Sequence, residues 1–403
     1  MRPLDASAAP DSGAALGGLP DASLDALEPV DAFEAADAVE AMSVPEVAPP
    51  DCDGGSAAGS ATSGLPPADG RCDSNPRLIV SAATLSIAFD GGLTTAAVGS
   101  ILATPGGLYY TLNASGQSFL GTGSLTRIPL AGGPATVVAS DYLFMRPVWN
   151  GAGVLVGERG GVSASLPNDA IASFPASGDA PTTLVTLATN EQLLTQPSTD
   201  GTFVYYVVQP PGSIFIALRA IATSPSVDAA PITLETGLLP DWVAPLGQEL
   251  IAVAPQGEVY SLPLPPMPGS KLTQRGTCAA GSSPSIACGS NLCWLAGTNT
   301  IEQLAAGSGP PTTVASLTDP VANAFDMAFD GANFYMIGLD AAGIVETLER
   351  IPQGGGCPVV VATMPPLGQG SVSVDDECVY WSNSEGIFSL AKTAQGPFQQ
   401  FQR

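Results

Sequence analysis

Between residues 96 and 403 one pattern recurs seven times: a short run, a tight Gly, Asp or Asn turn, an apolar run, then two further runs split by a Gly/Pro turn. "PSTDGTFVYYVV" is followed by "FIALRAIATSPSVDAAPITLE", "MAFDGANFYMIG" by "ETLERIPQGGGCPVVVATM", and "SVSVDDECVYWSN" by "GIFSLAKTAQGPFQQF". The turns fall near Gly106, Gly151, Gly201, Gly247, Gly289, Gly331 and Asp376, a period of about 41 to 50 residues. A repeat of that length carrying four short strands predicts one blade of a β-propeller. The expected fold is all-β, with seven four-stranded blades spanning 78–403. A four-stranded sheet cannot bury both faces alone, whereas a ring of copies can, and closing it hides most strand edges.

Within a unit the second run is the most apolar ("VYYVV", "NFYMI", "CVYWS"), as expected of a strand buried between two neighbouring blades. The third alternates ("LTRIPL", "IFSLAK"), and the fourth is β-branched ("ATVVA", "PVVVAT"). Residues 78–95 hold one or two strands before the first full unit. Leu78–Ser81 or Thr84–Phe89 is expected to join the last blade and lock the ring; a partial eighth blade is the weaker alternative. Asp375 and Asp376, with Asp200 and Asp330 at equivalent places, read as turn residues. They lack the regular acidic spacing of a Ca²⁺ loop.

"DDECVYWSN…GIFSLAK" resembles a repeat of the YWTD-type propellers and of related secreted bacterial propellers. The resemblance spans residues 96–403 and is crisp only in the last unit. Elsewhere it survives as "LYYT" (Leu108–Thr111) and "VYYV" (Val204–Val207). YWTD-type domains usually have six blades against the seven counted here. The resemblance implies partner binding and carries over no catalytic motif.

Composition narrows the function. The net charge is −25, with only 12 Lys and Arg, so nucleic acid and anionic membrane surfaces are poor partners. The chain has no histidine, which rules out Ser-His-Asp and Cys-His mechanisms and removes the commonest metal ligand. No run of 18 apolar residues exists to span a membrane.

Residues 1–77 are Ala-, Asp- and Pro-rich, with Arg2, Arg71 and Arg77 as the only cations. They read as a disordered acidic spacer. "MRPLDASAAPDSG" has no apolar leader core. The stalk-like spacer nevertheless points to an extracellular or cell-envelope protein whose export signal lies upstream; a cytoplasmic protein with an acidic tail is the alternative.

The seven cysteines favour export. Cys288 ends one expected strand and Cys293 begins the next, so a bridge across that hairpin is expected, with Cys278 in neither half. The alternative joins Cys278 to one of them. Cys357 lies just before the unit holding Cys378, and Cys52 and Cys72 could close a loop in the spacer.

Binding sites favour loops on rigid scaffolds. The two longest, Asn113–Gly123 and Gly157–Ala170, offer Asn113, Gln117, Phe119, Glu158, Arg159, Asn168 and Asp169. Trp242 lies between the third and fourth units, where core packing is expected and a channel or rim contact is the alternative. The expected function is a non-enzymatic binding or scaffolding module for a protein, peptide or carbohydrate ligand, monomeric and without a cofactor. The alternative is a hydrolase or lyase acting on a carbohydrate or lactone through carboxylates or bound Ca²⁺.

Overall fold

The computed structural model describes residues 72–403 apart from 82–83, 90–91, 115–122, 131–132, 160–167, 177–178, 214, 225–229, 238–239, 279–284, 290–291, 297–299, 308, 317–322, 340–344, 354–357, 365–369, 395 and 400–403. The expected spacer therefore lies almost wholly outside the described residues. Those described are β throughout, with no α-helix, and no helix is long and apolar enough to cross a membrane.

All seven units form antiparallel sheets, taken in chain order. Their innermost strands are Gly92–Thr104, Val148–Trp149, Ser198–Thr199, Trp242–Leu246, Ser285–Cys288, Asn323–Phe329 and Ser371–Val374. Neighbouring innermost strands touch all the way round, the last against the first. Hydrogen bonding groups the strands into six sheets among the described residues, because one nine-stranded sheet carries two units. The outer strand of the first unit, Thr136–Phe144, runs on past its blade. Its end pairs with the second unit, Leu143 opposite Arg159 and Phe144 opposite Glu158.

Strand alternation explains why the second strands are apolar on both faces. In Phe203–Gln209, Val204, Tyr206 and Val208 pack with Leu155 and Ile171 of the second unit. Tyr205 and Val207, facing the other way, pack with Val243 and Leu250 of the fourth. In Asn333–Leu339, Phe334 and Met336 meet Ala287 and Ile301 of the fifth unit. Tyr335 and Ile337 join the cluster around Trp381 of the seventh. Such apolar clusters join every adjacent pair of units.

The ring is closed by the N-terminal strand, as the sequence predicts. Arg77–Ser81 pairs antiparallel with Gly386–Ala391 of the last unit. The closure needs a glycine: Gly386 has φ +143°, and a Cβ there would run into the Val80 carbonyl oxygen. The next strand, Ser86–Phe89, pairs instead with the start of the first unit and makes no eighth blade. At the other end, Phe398–Gln399 leaves the seventh unit and pairs in parallel with Val359–Met364 of the sixth, an exchange with no sequence signal.

Two disulfides are present among the described residues, outside which Cys52 and Cys357 lie. Cys288 bonds Cys293 across the expected hairpin, with Cα atoms 4.0 Å apart. Cys278 belongs to neither bridge and is buried in the same apolar cluster. The other pairing corrects the sequence expectation. Cys72 bonds Cys378, with Cα atoms 6.0 Å apart, rather than Cys52, and Cys378 is therefore unavailable to Cys357. The physical reason is ring closure. Pairing of Arg77–Ser81 with the last unit, reinforced by the Ala391 N–H donating to the Asp73 carbonyl (2.9 Å), carries Cys72 onto that blade.

The turn aspartates act as caps. Asp375 Oδ1 accepts from the Glu377 and Cys378 N–H groups (2.8 and 2.7 Å), and Oδ2 accepts from the Tyr380 hydroxyl at 2.8 Å. Asp200 repeats this with Thr202, Phe203 and Tyr205, all at 2.7 Å. Thus D-x4-Y is the working signature, and Asp375, not Asp376, does the capping. Asp375→Ala strips three hydrogen bonds from one hairpin. Denaturant unfolding is expected to show a loss of about 2–3 kcal/mol, given about 1 kcal/mol per bond; Asp376→Ala should be nearly silent.

Candidate functional site: the central channel

The innermost strands enclose a cavity of about 560 Å³. The Ile101 and Ala103 N–H groups donate to Ser371 Oγ (3.2 Å) and Ser373 Oγ (2.8 Å), so the first and seventh inner strands advance side by side in the same direction. The wall is mixed: Val148, Trp242, Ile286, Met327 and Val372 alternate with polar Gln196, Ser198, Thr199 and Ser373, and Trp149 and Phe329 stand at strand ends that lead into hairpin turns. Phe329 is fixed by stacking on Phe334, ring centroids 4.5 Å apart.

Arg146 lines the channel and forms an ion pair with Asp326 of the sixth unit. The Asp326 carboxylate is held on every side. Oδ1 also accepts from its neighbour's N–H, Met327, at 2.8 Å. Oδ2 accepts from Ser371 Oγ (2.7 Å) and the Val372 N–H (2.9 Å). The second, sixth and seventh units are tied through one buried carboxylate, and Ser371 extends the tie to the first through Ile101. Asp200, the acidic residue lining the channel among the described residues, is committed to its turn and to Tyr205.

Of the residues singled out from the sequence, Trp242 lines the channel. Gln117 and Phe119 lie outside the described residues. Asn113 is half-buried at the end of strand Gly107–Ala114, opposite Gly123. Glu158 is buried, and desolvation holds its carboxyl above the usual range. Arg159 pairs through its backbone with Leu143. Asn168 is exposed, while Asp169 is buried and accepts from the Leu193 N–H at 2.8 Å. Sequence reasoning missed Arg146 and Asp326. A visible signal existed: Asp326 is a charge inside the apolar run "AFDMAF", which an inner strand keeps only when it is paired.

A second cavity, about 410 Å³, lies between the first and second units beside Tyr109, Phe174 and the exposed Val137. Its arginine is occupied: Arg127 Nε donates to the Gly106 carbonyl at 3.0 Å, and the guanidinium lies over the Tyr109 ring.

Glu349 is a buried carboxylate that lines neither cavity. Thr347 Oγ1 reaches its Oε1 at 3.4 Å, and Oε2 has no partner among the described residues. Burial pushes its carboxyl up to about 7. The folded state then binds a proton that the unfolded state has already lost, so stability falls as pH rises from 4.5 to about 7. Glu349→Gln is expected to remove that slope and to stabilise the protein above pH 7 by up to about 3 kcal/mol, at 1.36 kcal/mol per unit. Paired denaturant titrations at acidic and neutral pH check this.

Units arranged in a closed ring around an aromatic-lined channel make this protein a β-propeller. No family model matches the chain, and no curated protein matches it in sequence. Solved structures match its fold. A chain of the mitotic checkpoint complex aligns with TM-score 0.52 at 11% identity, covering 82% of this chain and 96% of that one. A puromycin-hydrolysing peptidase of Mycobacterium tuberculosis aligns with TM-score 0.51 at 12% identity, covering 71% and 48%. The Pan2 WD40 domain of Neurospora crassa reaches TM-score 0.49 at 10% identity, covering 76% and 92%. At such identities the likeness concerns the fold alone.

Proposed function

We propose that this propeller is a non-enzymatic binding or scaffolding module that takes a protein, peptide or small polar-headed ligand at its central channel. The observation that carries this reading is how the acids in and beside the channel are used. Asp326 and Asp200 each accept several structural hydrogen bonds, while Trp149, Trp242 and Phe329 present apolar surface to the cavity. Rigid aromatic surface beside polar groups that can fix a ligand's orientation is what a binding pocket needs. Carboxylates engaged by backbone N–H groups are poorly placed for acid–base turnover.

The two disulfides support a location in an oxidising compartment, in the envelope or outside the cell. The "VYW" hairpin supports kinship with YWTD-like secreted propellers. The net charge of −25 favours neutral or basic partner surfaces around the mouth.

The test is a thermal-shift screen of peptide, saccharide and lactone libraries on the full chain, with and without Ca²⁺. Hits are expected to raise the melting temperature and to be lost in Trp149→Ala/Trp242→Ala. Hits that survive loss of both indoles would move the site off the channel. Catalytic turnover of a saccharide or lactone would replace the binding reading with the enzymatic one.

A further inference from the structure

Asp326 does not need Arg146 to be satisfied. Its two oxygens already accept from the Met327 N–H, the Val372 N–H and the Ser371 hydroxyl. A carboxylate with three such donors is an anchored group, and its pairing with Arg146 orients the arginine. Exposure agrees: the Arg146 side chain is 28% exposed and that of Asp326 only 6%. The acid stands behind, and the guanidinium lines the cavity. A guanidinium carries five N–H groups. Asp326 takes one, the Met327 carbonyl takes another at 3.4 Å, and the others have no partner among the described residues.

Resting on the channel reading above, we propose that Arg146 anchors a site for an organic carboxylate with an apolar or aromatic body. The carboxylate meets the remaining N–H groups of the guanidinium, and the body lies against Trp149, Trp242 and Phe329. Arg146 is the one cation among the described lining residues, so the channel offers an anion a single landing point. A cavity of about 560 Å³ accommodates a ligand of one to a few residues' size. The overall charge of −25 opposes anions at long range, so capture depends on this local donor set. The carboxylate can belong to a free small acid or to the C-terminus of a peptide.

The probe pair is N-acetyl-L-tryptophan and its primary amide, titrated into the full chain by calorimetry at about 150 mM salt, where long-range repulsion is screened. The acid is expected to bind at least tenfold more tightly than the amide. Arg146→Gln is expected to abolish that preference while leaving weak binding of both. Arg146→Lys, which keeps the charge but loses the fork, is expected to retain only part of it. Should Arg146→Gln not fold, the acid-to-amide ratio in the wild type and in Arg146→Lys decides. A pentapeptide ending in tryptophan that matches or exceeds the free acid identifies a C-terminus as the source, and its exclusion identifies a small acid. Equal binding of acid and amide, or acid binding indifferent to Arg146, would overturn the carboxylate assignment and leave the channel reading standing. Failure of both probes to bind would also overturn it. Binding insensitive to Trp149→Ala/Trp242→Ala would instead overturn the channel reading itself.

Discussion

Replacing Cys72 and Cys378 together by serine is expected to cost up to about 5 kcal/mol of unfolding free energy. The bond joins residues 306 apart, so it closes almost the entire described chain into one loop. In the chain-entropy account the stabilisation grows with the logarithm of loop length, and a loop of hundreds of residues stands near the top of the range, at about 5 kcal/mol. The Cys288–Cys293 bridge spans only 5 residues and ties one hairpin, so its removal should cost far less. Denaturant titrations of the two double-serine variants, compared with oxidised wild type, read the difference. Equal losses would mean that the long bridge does not constrain the unfolded chain.

The second large effect is expected at Asp326. Asp326→Ala removes the acceptor shared by Arg146, Ser371 Oγ and the Val372 and Met327 N–H groups, all in or beside the buried inner ring. Arg146 keeps contact with the channel, but the Ser371 hydroxyl and the Val372 and Met327 N–H groups lose their acceptor, at about 1–3 kcal/mol for each donor left buried and unsatisfied. Arg146→Gln should cost markedly less, because the carboxylate left behind keeps its other three donors. That inequality separates an anchored acid from a simple pair. Equilibrium unfolding of the two variants measures it, and equal losses would show that Asp326 depends on Arg146 after all.

Much of this architecture was legible because the repeat is written in local chemistry. The D-x4-Y hairpin needs only a turn acid and an aromatic five residues on, and both lie within one quoted phrase. The apolar second strands announced burial on both faces, and the clusters around Tyr205 and Tyr206 show the two neighbours responsible. Ring closure by a strand ahead of the first unit was legible, but not which one: of Leu78–Ser81 and Thr84–Phe89, the first joins the last blade and the second pairs with the first unit. The features that escaped are those set by distance along the chain. Nothing local in Cys72 indicates Cys378, and Arg146 meets a residue 180 positions away. The candidate loops were chosen by length, and length does not say which way a side chain turns: Glu158 and Asp169 are buried. Trp242 joined the site because its strand starts at the channel wall.

The central claim is that the N-terminal strand completes the last blade and closes the ring around the channel. Hydrogen–deuterium exchange on the intact protein tests it most directly. The amides of Arg77–Ser81 that bond to Gly386–Ala391 are expected to exchange as slowly as those of the buried strand Phe203–Gln209. Exchange of Arg77–Ser81 at the rate of an unstructured peptide, while Phe203–Gln209 stays protected, would contradict it.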